Sequence, residues 1–487
     1  MRTHILRKIR IVLAAVMFAG ITLMFMDFTG ALHTWLGWMA KIQFLPALLA
    51  ANTVIIAGLL LLTVLFGRIY CSVICPLGIM QDIISWFNGK LKKKNQFRFR
   101  YKAEKKWLRL GVLAIFVATL ALGSHSLAAI IAPYSAYGRI ASNLFAPVYQ
   151  WGNNLLAWVS ERAGSYAFYS TDVWIKSLPA FIIATVSFVI LFIIAWKGGR
   201  AYCNSICPVG TILGFFAKRS VFAPVIDTDK CKGCGLCSRK CKSSCIDMEN
   251  HAIDYSKCVA CMDCLDTCKE GAVRYTSRYT GKSHSDRGRR TFLTTTLLLA
   301  GGLTAKAGRR KTRPEGREQA NRPIVPAGAS GIKNFTDHCT ACQLCVTACQ
   351  QRVLKPSDSF ANLMQPEMVF DRGYCSLDCN ECSKVCPAGA IKPVSLEEKS
   401  SIQIGHAVIN HDSCVVNTDN VQCKGCSRNC PVGAIRLVKK NPEDENSLLI
   451  PTVNEERCIG CGACEHYCPA KPVKAIHVEG HQTHKMI

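Results

Sequence analysis

The run Cys231-Lys232-Gly233-Cys234-Gly235-Leu236-Cys237-Ser238-Arg239-Lys240-Cys241 sets three cysteines at a step of three residues and a fourth after four more. A tight loop with that step can wrap three thiolates around one face of a cubane iron–sulfur core, while the distal thiolate commonly caps a neighbouring cluster. Deprotonated sulfur is the soft donor such cores select. The pattern recurs at Cys258, Cys261, Cys264, Cys268; at Cys339, Cys342, Cys345, Cys349; and at Cys458, Cys461, Cys464, Cys468. Looser versions stand at Cys375, Cys379, Cys382, Cys386 and at Cys414, Cys423, Cys426, Cys430, with three and eight residues between their first two cysteines. Pro387, Pro431 and Pro469 follow the last cysteine of their blocks, whereas the blocks ending at Cys241, Cys268 and Cys349 lack that proline.

Six blocks of four, two C-x3-C-P pairs and Cys245 together account for all 29 cysteines. Zinc ribbons use paired C-x2-C units without the third cysteine and the distal fourth. A disulfide framework belongs to a short secreted chain rather than to 487 residues with long apolar spans. The blocks therefore imply six 4Fe–4S clusters.

Outward from the blocks, the N-terminal 200 residues carry four apolar segments, near 9–28, 44–66, 110–132 and 178–196. Each is about as long as the roughly 20 residues a membrane helix needs. Basic residues cluster at the N-terminus (Arg2, Arg7, Lys8, Arg10) and after the second segment (Lys90 to Lys106), while 29–43 holds only Lys41 and 133–177 is mixed. The positive-inside bias thus puts the N-terminus, the second connection and the segment after the fourth span in the cytoplasm. The net charge of +26 has no nucleic-acid recognition module beside it. Much of it flanks the membrane, where basic side chains meet anionic lipid. Six clusters, each 2− with its thiolates, bring the total to roughly +14.

An internal repeat sits on this half. Gly67-Arg68-Ile69-Tyr70-Cys71-Ser72-Val73-Ile74-Cys75-Pro76-Leu77-Gly78 is matched by Gly199-Arg200-Ala201-Tyr202-Cys203-Asn204-Ser205-Ile206-Cys207-Pro208-Val209-Gly210, each copy directly after an even-numbered span. Two related two-helix halves are expected, with both cysteine pairs at the cytoplasmic face. Thiols four residues apart share one helical face. Arg68 and Arg200 supply the positive charge that makes thiols reactive. Cys71, Cys75, Cys203 and Cys207 are thus candidate redox thiols or metal ligands, as one shared site or as two pairs. The plainer alternative is a membrane-exit turn with inert thiols.

The doubled G-R-x-Y-C-x3-C-P-x-G with a two-block module, over roughly residues 1–275, resembles the NapH/MauN family of four-helix membrane ferredoxin-type subunits associated with quinol oxidation. In the module, Cys241 and Cys268 are expected to cross to each other's cluster, and Cys245 is expected to be a bystander. Beyond it, Gly288-Arg289-Arg290-Thr291-Phe292-Leu293 and a short apolar stretch look like a twin-arginine export signal. The basic run from Lys306 to Arg322 that follows weighs against export. Residues past 330 resemble the NapG/MauM family, the exported four-cluster partner in the same periplasmic nitrate reductase systems.

The expected architecture is an α-helical membrane domain of four transmembrane helices with a two-fold repeat, plus α+β ferredoxin-like 4Fe–4S modules. Its parts are a membrane domain (1–215), a cytoplasmic two-cluster domain (216–280), a signal-like basic linker (281–330) and a periplasmic four-cluster domain (331–487). The expected function is electron transfer from a (mena)quinol to a periplasmic reductase or carrier by a multi-pass protein of the bacterial inner membrane. Partners are membrane lipid, quinol and that reductase, without nucleic acid. A metal-reducing assembly factor for a respiratory oxidase and a cytoplasmic electron store are the rival functions. No C-x-x-C-H haem motif and no glycine-rich dinucleotide loop occur. Asp27, His33 and His125 are ionisable residues at the expected outer ends, where interfacial anchoring is the competing role. No catalytic residue is assigned, and His477, His481 and His484 are expected to be solvated.

Overall fold

The computed structural model describes residues 2–27, 29–91, 99–123, 125–278 and 322–487. The Arg289-Arg290 motif and most of the basic linker lie outside them. The chain divides into two compact units, each assembled from separated segments. The first comprises Met1–Thr22, Ile42–Ile140 and Ile183–Pro314; the second comprises Leu23–Lys41, Ala141–Ile182 and Glu315–Ile487.

Two helices, Ile5–Met26 and Leu178–Gly198, are long and apolar enough to cross a bilayer, with mean hydropathies of 2.3 and 2.7. The other two expected spans are not continuous. Over 44–66 the chain forms Phe44–Leu49 and then Thr53–Phe66. The break places Ala51 at φ +52°, and the Asn52 side chain caps the second piece by accepting from Ile55 N at 3.2 Å. Over 110–132, the helix Lys106–Ala121 stops at Gly123 (φ +79°) and resumes as His125–Ile131. Each piece falls short of the roughly 20 residues a straight span requires. An apolar window shows length but not the left-handed residue that breaks it.

The first unit also contains a small α+β module. Strand Phe222–Ile226 pairs antiparallel with Val273–Ser277 and closes the module's two ends, and Ile246–Asp247 pairs with Ala252–Ile253. Between them the helices Leu236–Lys240 and Asp263–Thr267 each lead out of a cysteine run. Arg7 of the N-terminal helix binds Asp263 and Asp266 of this module, at 3.0 and 2.7 Å, and Arg10 donates to the Cys261 carbonyl at 3.2 Å.

In the second unit, Ile402–Ile409 pairs antiparallel with Ile476–Met486, Leu354–Pro356 with Pro366–Met368, and Ile435–Lys439 with Leu449–Val453. Val416, Ala434, Ile435, Ala475 and Ile476 bury their side chains among the cysteines of two blocks. The tail histidines lie on the last strand. His481 stacks on His406 at 5.1 Å, and both ring nitrogens of His484 are buried without a hydrogen-bond partner. That corrects the expectation of solvated rings for His481 and His484, which pairing to Ile402–Ile409 carries into the sheet, whereas the His477 side chain is 45% exposed.

Candidate cluster sites

Four of the six cysteine runs share one backbone device. The second and fourth residues after the first cysteine are left-handed: Gly233 and Gly235, Ala260 and Met262, Ala341 and Gln343, Gly460 and Gly462. Such turns point successive amides inward as a nest for an anionic group. The runs beginning at Cys375 and Cys414 lack it, with Asn380 at φ −128° and Lys424 at φ −120° in the corresponding turns. In the first of these, the Lys399 ammonium donates instead to the carbonyls of Ser376 and Cys379.

The cysteines collect into cages that mix two runs. One cavity is lined by Cys258, Cys261 and Cys264 together with Cys241. A second has Cys458, Cys461 and Cys464 with Cys430, and a third has Cys414, Cys423 and Cys426 with Cys468. The remaining thiols follow the same exchange. Burial first, and then neighbours that include Cys386, raise Cys339, Cys342 and Cys345. Burial and then Cys375 and Cys349 raise Cys382, and Cys268 acts likewise on Cys237. Fourth cysteines are thus exchanged between the first and second blocks, the third and fourth, and the fifth and sixth. Sequence spacing foretold the first exchange and was silent on the other two. Among the described residues no three Cys, His, Asp or Glu side chains close around a single ion.

Cys245, outside the four-cysteine template, lies in the same cage as Cys241. It lines the first cavity with its sulfur 3.4 Å from that of Cys241. Its thiol is held protonated by Cys241 and Cys258, and the Cys241 thiol is lowered by that same contact. The signal was in the sequence only as a cysteine in excess of the template.

The two C-x3-C-P turns meet within the first unit, and every motif position has a physical task. Gly67 and Gly199 take left-handed φ, +74° and +57°, where the long helix turns into the motif. Each arginine crosses to the other copy: Arg68 Nη2 donates to the Cys203 carbonyl at 3.1 Å, and Arg200 Nη1 to the Cys71 carbonyl at 2.6 Å. Each tyrosine pins an end of a broken helix, Tyr70 through Gln43 (3.0 Å) and Phe44 N (3.1 Å), Tyr202 through the Ile131 carbonyl (2.7 Å). Pro76 and Pro208 open the next helices, where a missing N–H costs nothing. A Cβ on Gly78 would press on the Cys71 carbonyl and reach 2.5 Å from Arg200, and one on Gly210 would press on Cys203 and reach 2.7 Å from Arg68.

All four thiols of these turns are buried, at 4–5% exposure. Burial first, and then Cys203, Cys71 and Cys75, raise the Cys207 thiol; Cys75 is raised by burial, Cys203 and Cys71. Both arginines are wholly buried. Arg200 Nε binds Asp82 at 2.7 Å, and Asp82 also holds Lys242 at 3.0 Å and Arg10 at 3.5 Å. Burial would raise the Asp82 carboxyl, but Arg200 and Lys242 hold it well below the usual carboxylate range. The turns also touch the two-block module: Arg68 Nη1 donates to the Ser256 carbonyl at 3.0 Å, and Asn204 to that of Ser243 at 3.0 Å.

In the second unit Asp27 caps the helix Ala31–Lys41, accepting from Thr29 N and Leu32 N, both at 2.8 Å. Its Oδ2 stands 3.4 Å from buried His33 Nδ1, and His33 Nε2 is buried without a hydrogen-bond partner. The backbone of His125 is helical, and its side chain lies outside the described residues.

Comparison with known proteins agrees with this chemistry. The family described as "4Fe-4S binding domain" matches residues 49–94 and again 180–225, and the "4Fe-4S dicluster domain" family matches 338–416 and 421–471. The methylamine utilization ferredoxin-type protein MauM of Methylorubrum extorquens is 31% identical over 183 residues, 36% of this chain and 82% of the relative. Ferredoxin-type protein NapG of Escherichia coli is 29% identical over 189 residues, 37% of this chain and 81% of NapG. MauM of Methylobacillus flagellatus is 33% identical over 154 residues, 30% of this chain, which spans 63% of that relative's length. No solved structure matches the chain. The inter-run cages and the extent of the MauM match carry one conclusion: the chain belongs to the MauM/NapG ferredoxin-type family, as a 4Fe–4S electron-transfer protein related to Nap and Mau components.

Proposed function

We propose that this chain is a multi-pass protein of the bacterial inner membrane. It takes electrons from a quinol of the menaquinol class and delivers them through six 4Fe–4S clusters to a periplasmic terminal reductase of the nitrate reductase kind. Residues 1–275 act as a NapH/MauN-like membrane part and residues past 330 as the exported partner, joined in one molecule. Each cluster, when bound, supplies a one-electron relay. The six blocks hold them with the exchanged fourth cysteines described above.

One observation carries this reading: the way the chain sorts its segments. The C-terminal blocks share a unit with 23–41 and 141–182, which overlap 29–43 and 133–177, the two connections that the charge distribution leaves outside. The contacts within that unit are specific. Ser142 and Asn143 donate to the Gln343 side chain at 3.0 and 2.8 Å, inside the Cys339 run, and Gln350 donates to the Thr29 carbonyl at 2.9 Å. The two N-terminal blocks share the other unit with the basic segments. Fusing the two parts holds them at high effective concentration.

A quinol releases two protons with its two electrons. His33, buried and oriented by Asp27, is the proton acceptor that the second unit offers, and its helix packs against the Glu381–Val385 turn of the Cys375 block. Membranes carrying the chain should couple menaquinol oxidation to a periplasmic acceptor, and His33→Gln should slow this about 100-fold with cluster content intact. Protease added to spheroplasts should remove residues beyond 330. Protection of that region, or quinol oxidation indifferent to the chain, would refute the proposal.

A further inference from the structure

Each segment matched as a 4Fe–4S binding domain contains only two cysteines, Cys71 with Cys75 and Cys203 with Cys207, whereas a cubane takes four thiolates. We propose that the two C-x3-C-P turns together form one further iron–sulfur site, with Cys71 and Cys75 from the first half and Cys203 and Cys207 from the second as its four ligands. This site adds to the six cysteine-run clusters and needs no particular donor or acceptor.

Three features of the turns fit such a group. First, the reciprocal arginine bonds to the Cys203 and Cys71 carbonyls clamp the two turns together, with all four thiols shielded from solvent. Thiols meant only to fill a membrane-exit turn would need no such clamp.

Second, N–H groups are aimed at sulfur in the way that stabilises cluster-bound thiolates. Gln81 Nε2 donates to Cys203 Sγ at 3.2 Å, Gly210 N to Cys207 Sγ at 3.3 Å, and Arg68 Nη2 lies 3.8 Å from Cys71 Sγ. The Gly78 amide does the same for Cys75.

Third, a buried cation here lacks its anion. Arg68 is bonded to Asn204 Oδ1, two carbonyls and a thiol, with Nε unpartnered and no carboxylate against it among the described residues. A buried charge without a partner is costly, and a tetrathiolate iron–sulfur core is an anion at that place. The same guanidinium reaches the carbonyl of Ser256, two residues before Cys258, which joins the site to the neighbouring cage.

The test uses the full chain purified anaerobically in detergent, with iron and acid-labile sulfide counted and low-temperature EPR and Mössbauer spectra recorded. Cys75→Ser and Cys207→Ser should each remove the same component, about two to four iron atoms, and the double variant should remove no more. Signals from the other clusters should persist, which shows that the variants fold. Unchanged iron, losses that add in the double variant, or zinc in place of iron would overturn the inference. Arg68→Gln keeps every thiol and supplies an independent readout: it should lower the midpoint potential of that one component. A titration in which no signal moves would also overturn it.

Discussion

The two halves of the repeat carry the same twelve-residue pattern, yet their buried arginines are provided for differently. Seven residues after Cys75 stands Asp82, which neutralises Arg200; seven after Cys207 stands Gly214. A side chain at Gly214 would come within 2.5 Å of Arg109 Nη2 and 2.6 Å of the Ser256 carbonyl. Position 214 therefore has no room for an acid, and Arg68 is left to the Asn204 amide, two carbonyls and the Cys71 thiol. Backbone symmetry is kept where the clamp needs it, while charge symmetry is broken. One arginine anchors the fold; the other is ready for a ligand.

The largest expected effect breaks the anchoring side. Asp82→Asn leaves Arg200, Lys242 and Arg10 without their shared anion and should cost about 3–5 kcal/mol in unfolding of the full chain. Arg68→Gln, measured without metal, should cost less than this, since it breaks hydrogen bonds to Asn204 and two carbonyls but strands no carboxylate. Equal losses for the two would erase the asymmetry. Because the fold holds the Asp82 carboxyl below its usual range, this stabilisation is complete above its unfolded value near pH 3.9 and is lost as pH falls lower.

The clamp itself should respond symmetrically. Gly78→Ala and Gly210→Ala each drive a methyl into a carbonyl and the opposite arginine. Each should cost about 1–3 kcal/mol, and a harmless Gly210→Ala would show that the second turn is not clamped. Smaller still, Tyr202→Phe removes one hydrogen bond to a broken helix, worth about 1 kcal/mol. Tyr70→Phe removes two and should cost more in the same assay.

The smallest effect lies in the second unit. Burial first, and then His481, lower His484 to about 4 from an ordinary value of 6.5. The fold thus favours neutral His484, and its contribution is present above pH 6.5 and lost as pH falls from there towards about 4. His484→Gln should flatten the acid slope of unfolding below pH 6.5.

Much of this was legible in the sequence because ligand spacing is local. The three-residue step predicts tight loops that wrap a core, and the doubled motif predicts two related halves. What was not legible depends on contacts across the chain. The exchange of Cys349 with Cys386, and of Cys430 with Cys468, requires two runs to fold against each other. Breaks at Ala51 and Gly123 hide inside apolar windows whose composition suits a continuous helix. Cys245 looked surplus because the template has no place for a fifth thiol, although the strand at Ile246 carries it into the cavity. The task of each motif arginine was hidden as well: nearby positive charge is readable in sequence, but its pairing with the other half is not.

Anaerobic addition of a menaquinol analogue to the full chain in lipid vesicles, followed by low-temperature EPR, tests electron transfer from a membrane quinol into the clusters of this chain. Signals of reduced 4Fe–4S clusters should appear with quinol alone, and should be slowed in His33→Gln. Clusters that dithionite reduces but quinol leaves untouched would contradict it.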